Sequence, residues 1–493
     1  MSMETIILLL IIEVPLATAA ALFVFPRRLR SAARWLAGGA AALSLAAMFA
    51  LIPALQHGDV PTLALRWIPA AGIELDLHID WLTLPFAITE GVVTLLAIIY
   101  AWGSEATDAR ASYFYALLLL FAIGMSGTTL ADDMVLFYTF WELMLVASCA
   151  LILVWGHSLS GGAPLRSVAL KYFIFTHLGS LLVLVALVIL YDVTGTDRFS
   201  ALRSGVALAP AMVTTVTALF LIGFCVKMAI FPLHLWLPDA HTVAPMPVTI
   251  MLAAAMLSMG TYGILRFPLS IFSRAQMAPF AVPMMVAGVI SEIYGALMAL
   301  AERDIKRIIA YSSVSQMGYI LFGLGTLTYN GLAGATLHVI YHAIVKALLF
   351  MVAGAVIHST GKRRLDQLGG LAPAMPTVAV CAAVGVLTIA GTPPLCIFDS
   401  EWMIFSGGFQ TDHIVLAVVA VCGSFMTVAY AFWFAGHVFF GSRPADLQAR
   451  ALPLSISLPM ILLAVLAVVE GVFPGPVFAW VSRELPLLFG GSG

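Results

Sequence analysis

The chain has 493 residues, of which 62% are hydrophobic and 10% charged, against about 25% charged in an ordinary soluble domain. With a mean hydropathy of +1.05 and apolar runs of about 20 residues recurring from end to end, it reads as an all-α polytopic membrane protein whose solvent is lipid. A net charge of −2 from 23 Lys and Arg and 25 Asp and Glu, with no basic stripe, excludes nucleic acid as a partner.

Apolar runs and loop punctuation predict fourteen transmembrane helices, over 5–25, 35–55, 81–102, 113–130, 134–155, 168–190, 211–237, 245–265, 277–300, 308–328, 332–358, 376–407, 413–440 and 452–473. The first run, Thr5 to Phe25, carries Glu13 and lacks a small-residue cleavage site, so it reads as a retained helix rather than a signal peptide. Loops 56–80 and 191–210 are the long ones, polar and punctuated by Gly and Pro; the rest are short, and 1–493 reads as one membrane domain. Five cysteines stand singly inside apolar runs, without the spacing of a disulfide framework, a cluster or a haem site.

Placing both termini outside puts most Lys and Arg inside, including the runs at 27–34, 303–307 and 362–364, as the positive-inside rule requires. Two cations fit neither side: Lys227 and Lys346 fall near the middle of spans. The seventh span contains Phe231-Pro232-Leu233-His234 and Leu237-Pro238-Asp239, and the twelfth contains Gly391-Thr392-Pro393-Pro394 before Asp399 and Glu401. Proline breaks a helix. Two broken spans five helices apart cross in opposite directions, which predicts inverted repeats over 113–265 and 277–440 with an ion path at the midplane.

An ionisable side chain within a span costs about 2.5–3.5 kcal/mol on insertion scales and marks a pathway or a pair. The principal set is Glu142 in the fifth span, Lys227 before the seventh-span break, Lys346 in the eleventh span and Glu401 after the twelfth-span break. A Glu142–Lys227 ion pair that forms and separates would switch the lysine between holding and releasing a proton; the same pair could instead be static and orient helices. His338, His342 and Lys346 recur at i, i+4 and i+8, one helix face over about 12 Å, as a proton relay would. Zinc is the competing reading of His338 and His342, but HVIYH lacks the Glu of HExxH and a third ligand.

Accessory candidates are His234 and His241, as a proton entrance or as caps of the broken helix, with Glu292, Asp399 and Lys171. Lys171 lies close enough to a span end to snorkel. Glu13 and Glu90 read equally as partner contacts or transport groups, and His177 and His437 as packed histidines.

The stretches FYTFWELMLVASCALI (137–152), KYFIFTHLGSLL (171–182), KMAIFPLHLWLPDAHTVAP (227–245), ERDIKRIIAYSSVSQMGYI (302–320), HVIYHAIVKALLFMVAGAVIH (338–358) and GTPPLCIFDSEW (391–402) resemble the antiporter-like subunits of respiratory complex I, membrane-bound hydrogenases and Mrp cation/proton antiporters. WELMLV, WGH at 155–157 and the carboxylate at 401 are most similar to the M-type subunit of complex I and its hydrogenase relatives, whereas HxxxHxxxK is nearer the L-type or Mrp pattern. The resemblance implies fourteen core helices, two inverted five-helix repeats and a hydrated polar axis. It implies Glu142 as coupling glutamate, Lys227 as the broken-helix lysine, His338, His342 and Lys346 as the central relay, and Glu401 as the exit residue. Such families usually carry Lys or His in the eighth span, but here Thr242 to Leu265 has no ionisable side chain and Ser258 stands at that place.

The resemblance further implies a subunit of a redox-driven ion translocase in a prokaryotic cytoplasmic (inner) membrane. It would bind no cofactor itself; iron–sulfur clusters, flavin or nickel–iron would lie in partner subunits. Expected partners are integral membrane subunits, a peripheral redox module, lipids, protons and, in one variant, sodium ions. The alternatives are an Mrp-type sodium/proton antiporter subunit without redox chemistry and a structural anchor whose channel is dead.

Overall fold

The computed structural model describes residues 2–68, 73–104, 110–158, 163–203, 206 and 208–488; parts of both long loops, at 69–72, 204–205 and 207, lie outside them. Among the described residues thirteen helices are long and apolar enough to cross a membrane, from Met3–Val24 to Leu454–Val472. The two halves Pro376–Ile389 and Cys396–Phe409 supply the twelfth crossing, which brings the architecture to the expected fourteen.

Both breaks fall where proline stands. The seventh span is helical over Pro210–Met228, passes through a left-handed Ala229 (φ 57°) and resumes at Leu237–Val243. The twelfth stops at Ile389, turns at Gly391 (φ 64°) and restarts at Cys396. A residue without Cβ is suited to that left-handed turn. The eighth span, Met246–Ile271, is α-helical except for a π-helical turn at Leu252–Met256, which its composition did not announce.

The loop over 56–80, read from sequence as long, polar and punctuated by Gly and Pro, carries an antiparallel hairpin, β1 (Thr62–Ile68) with β2 (Ile73–His78). The hairpin leads into a charge cluster at one end of the bundle. Arg266 grips Asp80 with two guanidinium nitrogens at 2.8 and 2.9 Å and donates to Thr83 Oγ1 at 2.8 Å. His78 lies 3.4 Å from Asp80 and 3.6 Å from Asp132. This clamp joins the start of the third span (Thr83–Ser104) to the end of the eighth.

Enclosure differs sharply along the chain. The most apolar stretches of the eighth span and of the tenth (Ile305–Gly325) are wholly buried, while only a third of those of the first, thirteenth and fourteenth is buried. Small residues make the enclosure tight. A Cβ on Gly288 would lie 2.6 Å from Phe322 N, one on Gly295 2.4 Å from Ser315 N, and one on Gly318 2.5 Å from Glu292 N. The ninth span (Arg274–Ala301) and the tenth therefore touch backbone to backbone, the contact small residues permit in lipid.

Burial alone would raise the Asp80 carboxyl, but Arg266 and His78 beside it outweigh burial and hold it well below the ordinary carboxylate range. A depressed carboxyl contributes stability above its unfolded value, about 3.9, and loses it as pH falls through the folded value. Arg266→Met takes the guanidinium from the buried Asp80 carboxylate, which keeps His78 and Arg203 at 3.4 Å and the Thr83 N–H, and is expected to cost about 3 kcal/mol, seen as a lower thermal midpoint in detergent. The midpoint gap between wild type and Asp80→Asn is expected to hold at neutral pH and to shrink only below about pH 4.

Candidate functional site

Of the ionisable side chains singled out above, Lys227, His234, His241, Glu292, His338, His342, Lys346 and Glu401 are buried. Lys227, buried in the last turn before the seventh-span break, sits at a helix C-terminus, where the dipole favours a cation. Asp399 lies in the first turn after the twelfth-span break, a helix N-terminus, where it favours an anion, and Glu401 follows in the second turn. The two breaks thus present opposite poles to oppositely charged residues.

The expected Glu142–Lys227 ion pair is not formed. Glu142 Oε2 lies 3.1 Å from His177 Nδ1, and Lys227 Nζ stands 5.0 Å from the centroid of the Trp141 ring, a cation–π contact. Glu142 remains in electrostatic range of Lys227. The expectation was of a pair that forms and separates, and here the two side chains stand apart, Glu142 on His177 and Lys227 beside the ring of Trp141, the helix neighbour of Glu142. His177, expected to be a packed histidine, is the partner that sequence reasoning missed; it also stacks on Phe173, with centroids 5.4 Å apart.

His338, His342 and Lys346 lie on the eleventh span (Tyr329–Thr360) and are fully buried. Lys346 donates to Ser312 Oγ and to Ile309 O, the latter at 3.3 Å. His338 is held at both ring nitrogens, Nδ1 3.0 Å from Ser400 Oγ and Nε2 2.9 Å from Gln316 Oε1. Through Ser400 it touches the half-helix that carries Glu401. Between them His342 has no partner on either ring nitrogen. The row therefore alternates fixed and free members: Lys346 fixed, His342 free, His338 fixed. Gln316, Ser312 and Ser400 were missed, since an amide or hydroxyl inside a span carries no charge to flag it.

Glu401 is buried, with Oε1 unpartnered and Oε2 pressed against Gly391 of its own break. Glu292 is fully buried with both carboxylate oxygens unpartnered and packs against Gly423. Asp399 lines an open pocket of about 530 Å³ with Trp402, Pro474 and Phe478. His234 and His241 do not cap the broken helix: all four of their ring nitrogens lack partners. His234 packs among Phe231, Tyr294 and Tyr311, and His241 against Trp236 and Phe350. Lys171 does not simply snorkel; it pairs with Asp239 at 2.9 Å, and Arg307 meets the other oxygen of Asp239 at 2.9 Å.

Chemically the arrangement suits charge relay rather than bond-making. It holds bases and acids in a water-poor interior, where unpaired charge is costly, together with hydroxyls and an amide that hand hydrogen bonds between them. Among the described residues no group of three or more His, Cys, Asp or Glu side chains is placed to hold a metal ion.

Residues 131–427 match the family model described as NADH:quinone oxidoreductase/Mrp antiporter, TM. Over 458 residues the chain is 35% identical to NADH-quinone oxidoreductase subunit M of Escherichia coli (strain K12), covering 90% of this chain and 86% of that one. Its fold is similar to a chain of the Mrp complex from Dietzia sp. DQ12-45-1b, with a TM-score of 0.89 at 26% identity over 100% of this chain and 98% of that one. A chain of the membrane-bound sulfane sulfur reductase, an archaeal respiratory membrane complex, superposes with a TM-score of 0.87 at 30% identity over 97% of this chain and 78% of that one.

A Cβ at Gly391 would lie 2.2 Å from Glu401 Oε2, and the residue stands at φ 64°. Gly391→Ala is therefore expected to cost about 1 kcal/mol or more in backbone strain and to displace Glu401. The check is a lowered thermal midpoint together with reduced ion flux through the assembled protein, with Gly39→Ala, where a Cβ meets open space, as the neutral control.

Proposed function

This chain belongs to the NADH:quinone oxidoreductase/Mrp antiporter family of membrane subunits, and from that premise we propose that it translocates protons within a redox-driven energy-converting complex. The observation that carries the reading is that Lys227, Lys346, His342, His338 and Glu401 are all buried, with Lys227 in the last turn before one helix break and Glu401 in the half-helix after the other. Groups so expensive to bury are kept where they move charge.

In this reading Glu142 with His177 loads and senses the first break, and Lys227 stores a proton at the helix terminus. Lys346 exchanges a proton with the row through Ser312, His342 turns between its fixed neighbours, and His338 delivers through Ser400 toward Glu401. Lys171, Asp239 and Arg307 form the polar rim near the seventh-span break, with His234 and His241 as proton-accessible bases behind it. Asp399 and Glu292 flank the Glu401 end. The inverted repeats cover 113–265 and 277–440, each with one broken span, and both termini lie outside, on the hairpin side. Redox cofactors reside in partner subunits of the same inner-membrane complex, and energy reaches this chain as a change in the electrostatics around Glu142.

A second reading, a sodium/proton antiporter subunit, is favoured by the close superposition on a chain of the Dietzia Mrp complex. The two part at their partners. Co-purification with iron–sulfur, flavin or nickel-bearing subunits supports the redox-driven reading, and only small hydrophobic partners without redox metal support the antiporter.

Lys227→Ala is expected to abolish proton transport in an assembled complex, measured as dye-reported acidification of inverted vesicles. Wild-type transport by that variant in a fully assembled complex would sink the proposal.

A further inference from the structure

The eighth span has no acidic or basic side chain between Thr242 and Leu265, although it is wholly enclosed and packs against both the seventh and the eleventh spans. Its neighbour supplies one. Glu90, in the third span, is 1% exposed, and both of its carboxylate oxygens lack a hydrogen-bond partner. An ionised carboxylate without partners is among the costliest things a protein interior can hold.

Two contacts fix the register of the third span against the eighth. Thr83 Oγ1 accepts from Arg266 at 2.8 Å, and the Phe86 and Tyr262 rings lie 5.3 Å apart, edge to face. The helices are antiparallel, so one more turn takes Phe86 to Glu90 on the same face and Tyr262 back to Ser258. Glu90 thus stands at the level of Ser258, just beyond the π-helical turn Leu252–Met256, a feature that recurs at functional sites.

The register to the eleventh span follows from the other end. Tyr100 Oη donates to Met351 O at 3.2 Å. The third and eleventh spans cross in the same sense, so stepping back from Tyr100 to Glu90 corresponds to stepping back from Met351 to Tyr341. In that layer the Tyr341 hydroxyl and both His342 nitrogens are buried and unpartnered. The third and eleventh spans therefore bring unsatisfied proton-active groups to one level, beside Ser258 of the eighth, whose hydroxyl is spent on Ala255 O.

We propose that Glu90 is the ionisable link across the eighth-span layer, carrying protons between the Lys227 side and the His342 row in the place where Ser258 offers none. The inference rests on the proton-translocating reading above. Glu90 would take a proton on one carboxylate oxygen and give it up from either, so that no net chemistry occurs and only the position of the proton changes.

The test compares Glu90→Gln, Glu90→Asp, Glu90→Gln combined with Ser258→Lys, and Lys227→Ala in the whole complex in inverted vesicles. Proton flux is followed by dye quenching, energised by electron donor or by a sodium gradient, with assembly checked on native gels. Glu90→Gln is expected to lower flux about tenfold or more, as loss of a positioned proton-transfer group does, while Glu90→Asp and the Ser258→Lys combination restore it. Wild-type flux in assembled Glu90→Gln with Lys227→Ala inactive overturns the role of Glu90 alone; wild-type flux in both overturns the proton-translocating reading. Loss that neither rescue restores assigns Glu90 a packing role and overturns the proposal. Infrared difference spectra of the Asp variant give a measurement independent of Gln assembly: the protonated-carboxyl band that changes on turnover shifts if Glu90 carries the proton, and an unshifted band counts against it.

Discussion

Everything distinctive in this fold follows from the cost of placing ionisable groups in a medium that cannot solvate them. The chain meets that cost by burying its charged row inside other helices rather than against lipid. The eighth and tenth spans are enclosed completely and the eleventh nearly so, while the first, thirteenth and fourteenth serve as an apolar jacket. The breaks at residues 229–236 and 390–395 then set helix ends in the interior. One end faces a lysine and the other two carboxylates, each matched to the pole it meets.

Much of this could be read from residue order. Apolar runs marked the spans, proline marked both breaks, and Lys227, Lys346, Glu142 and Glu401 stood out because charge inside a span is rare. What could not be read was who touches whom. Glu142 was expected to meet and leave Lys227, and no charge pattern in the sequence showed that His177, on the next helix, would hold it when the two stand apart. Gln316 holds His338 but is uncharged and looks like packing. The hairpin had a signal that went unread: Ile73-Glu74-Leu75-Asp76-Leu77-His78 alternates with the period of a strand. The π-helical turn in Leu252–Met256 had none, since Leu-Ala-Ala-Ala-Met suits an ordinary helix.

Within the row, the alternation of held and unheld side chains says more than the presence of histidine. A ring bound at both nitrogens, like His338, has its orientation fixed by hydrogen bonds, whereas nothing but packing orients the buried His342. Relatives named for quinone oxidoreductases and for Mrp complexes share this chain type, and nothing in the row itself is specific to one driving reaction. The division of labour implied is that these helices supply a path and other polypeptides supply the force.

The glycine contacts between the ninth and tenth spans have a mechanical meaning. Where Gly288, Gly295 and Gly318 let main chain meet main chain, neither helix can screw or slide past the other without steric collision. The pair therefore behaves as a stiff strut, and Ser312 and Gln316 are fittings bolted to it. Ser312 and Gln316 thereby hold their places against the eleventh span through a backbone that has no room to shift, so the hydrogen bonds they make to Lys346 and His338 are set by main-chain packing.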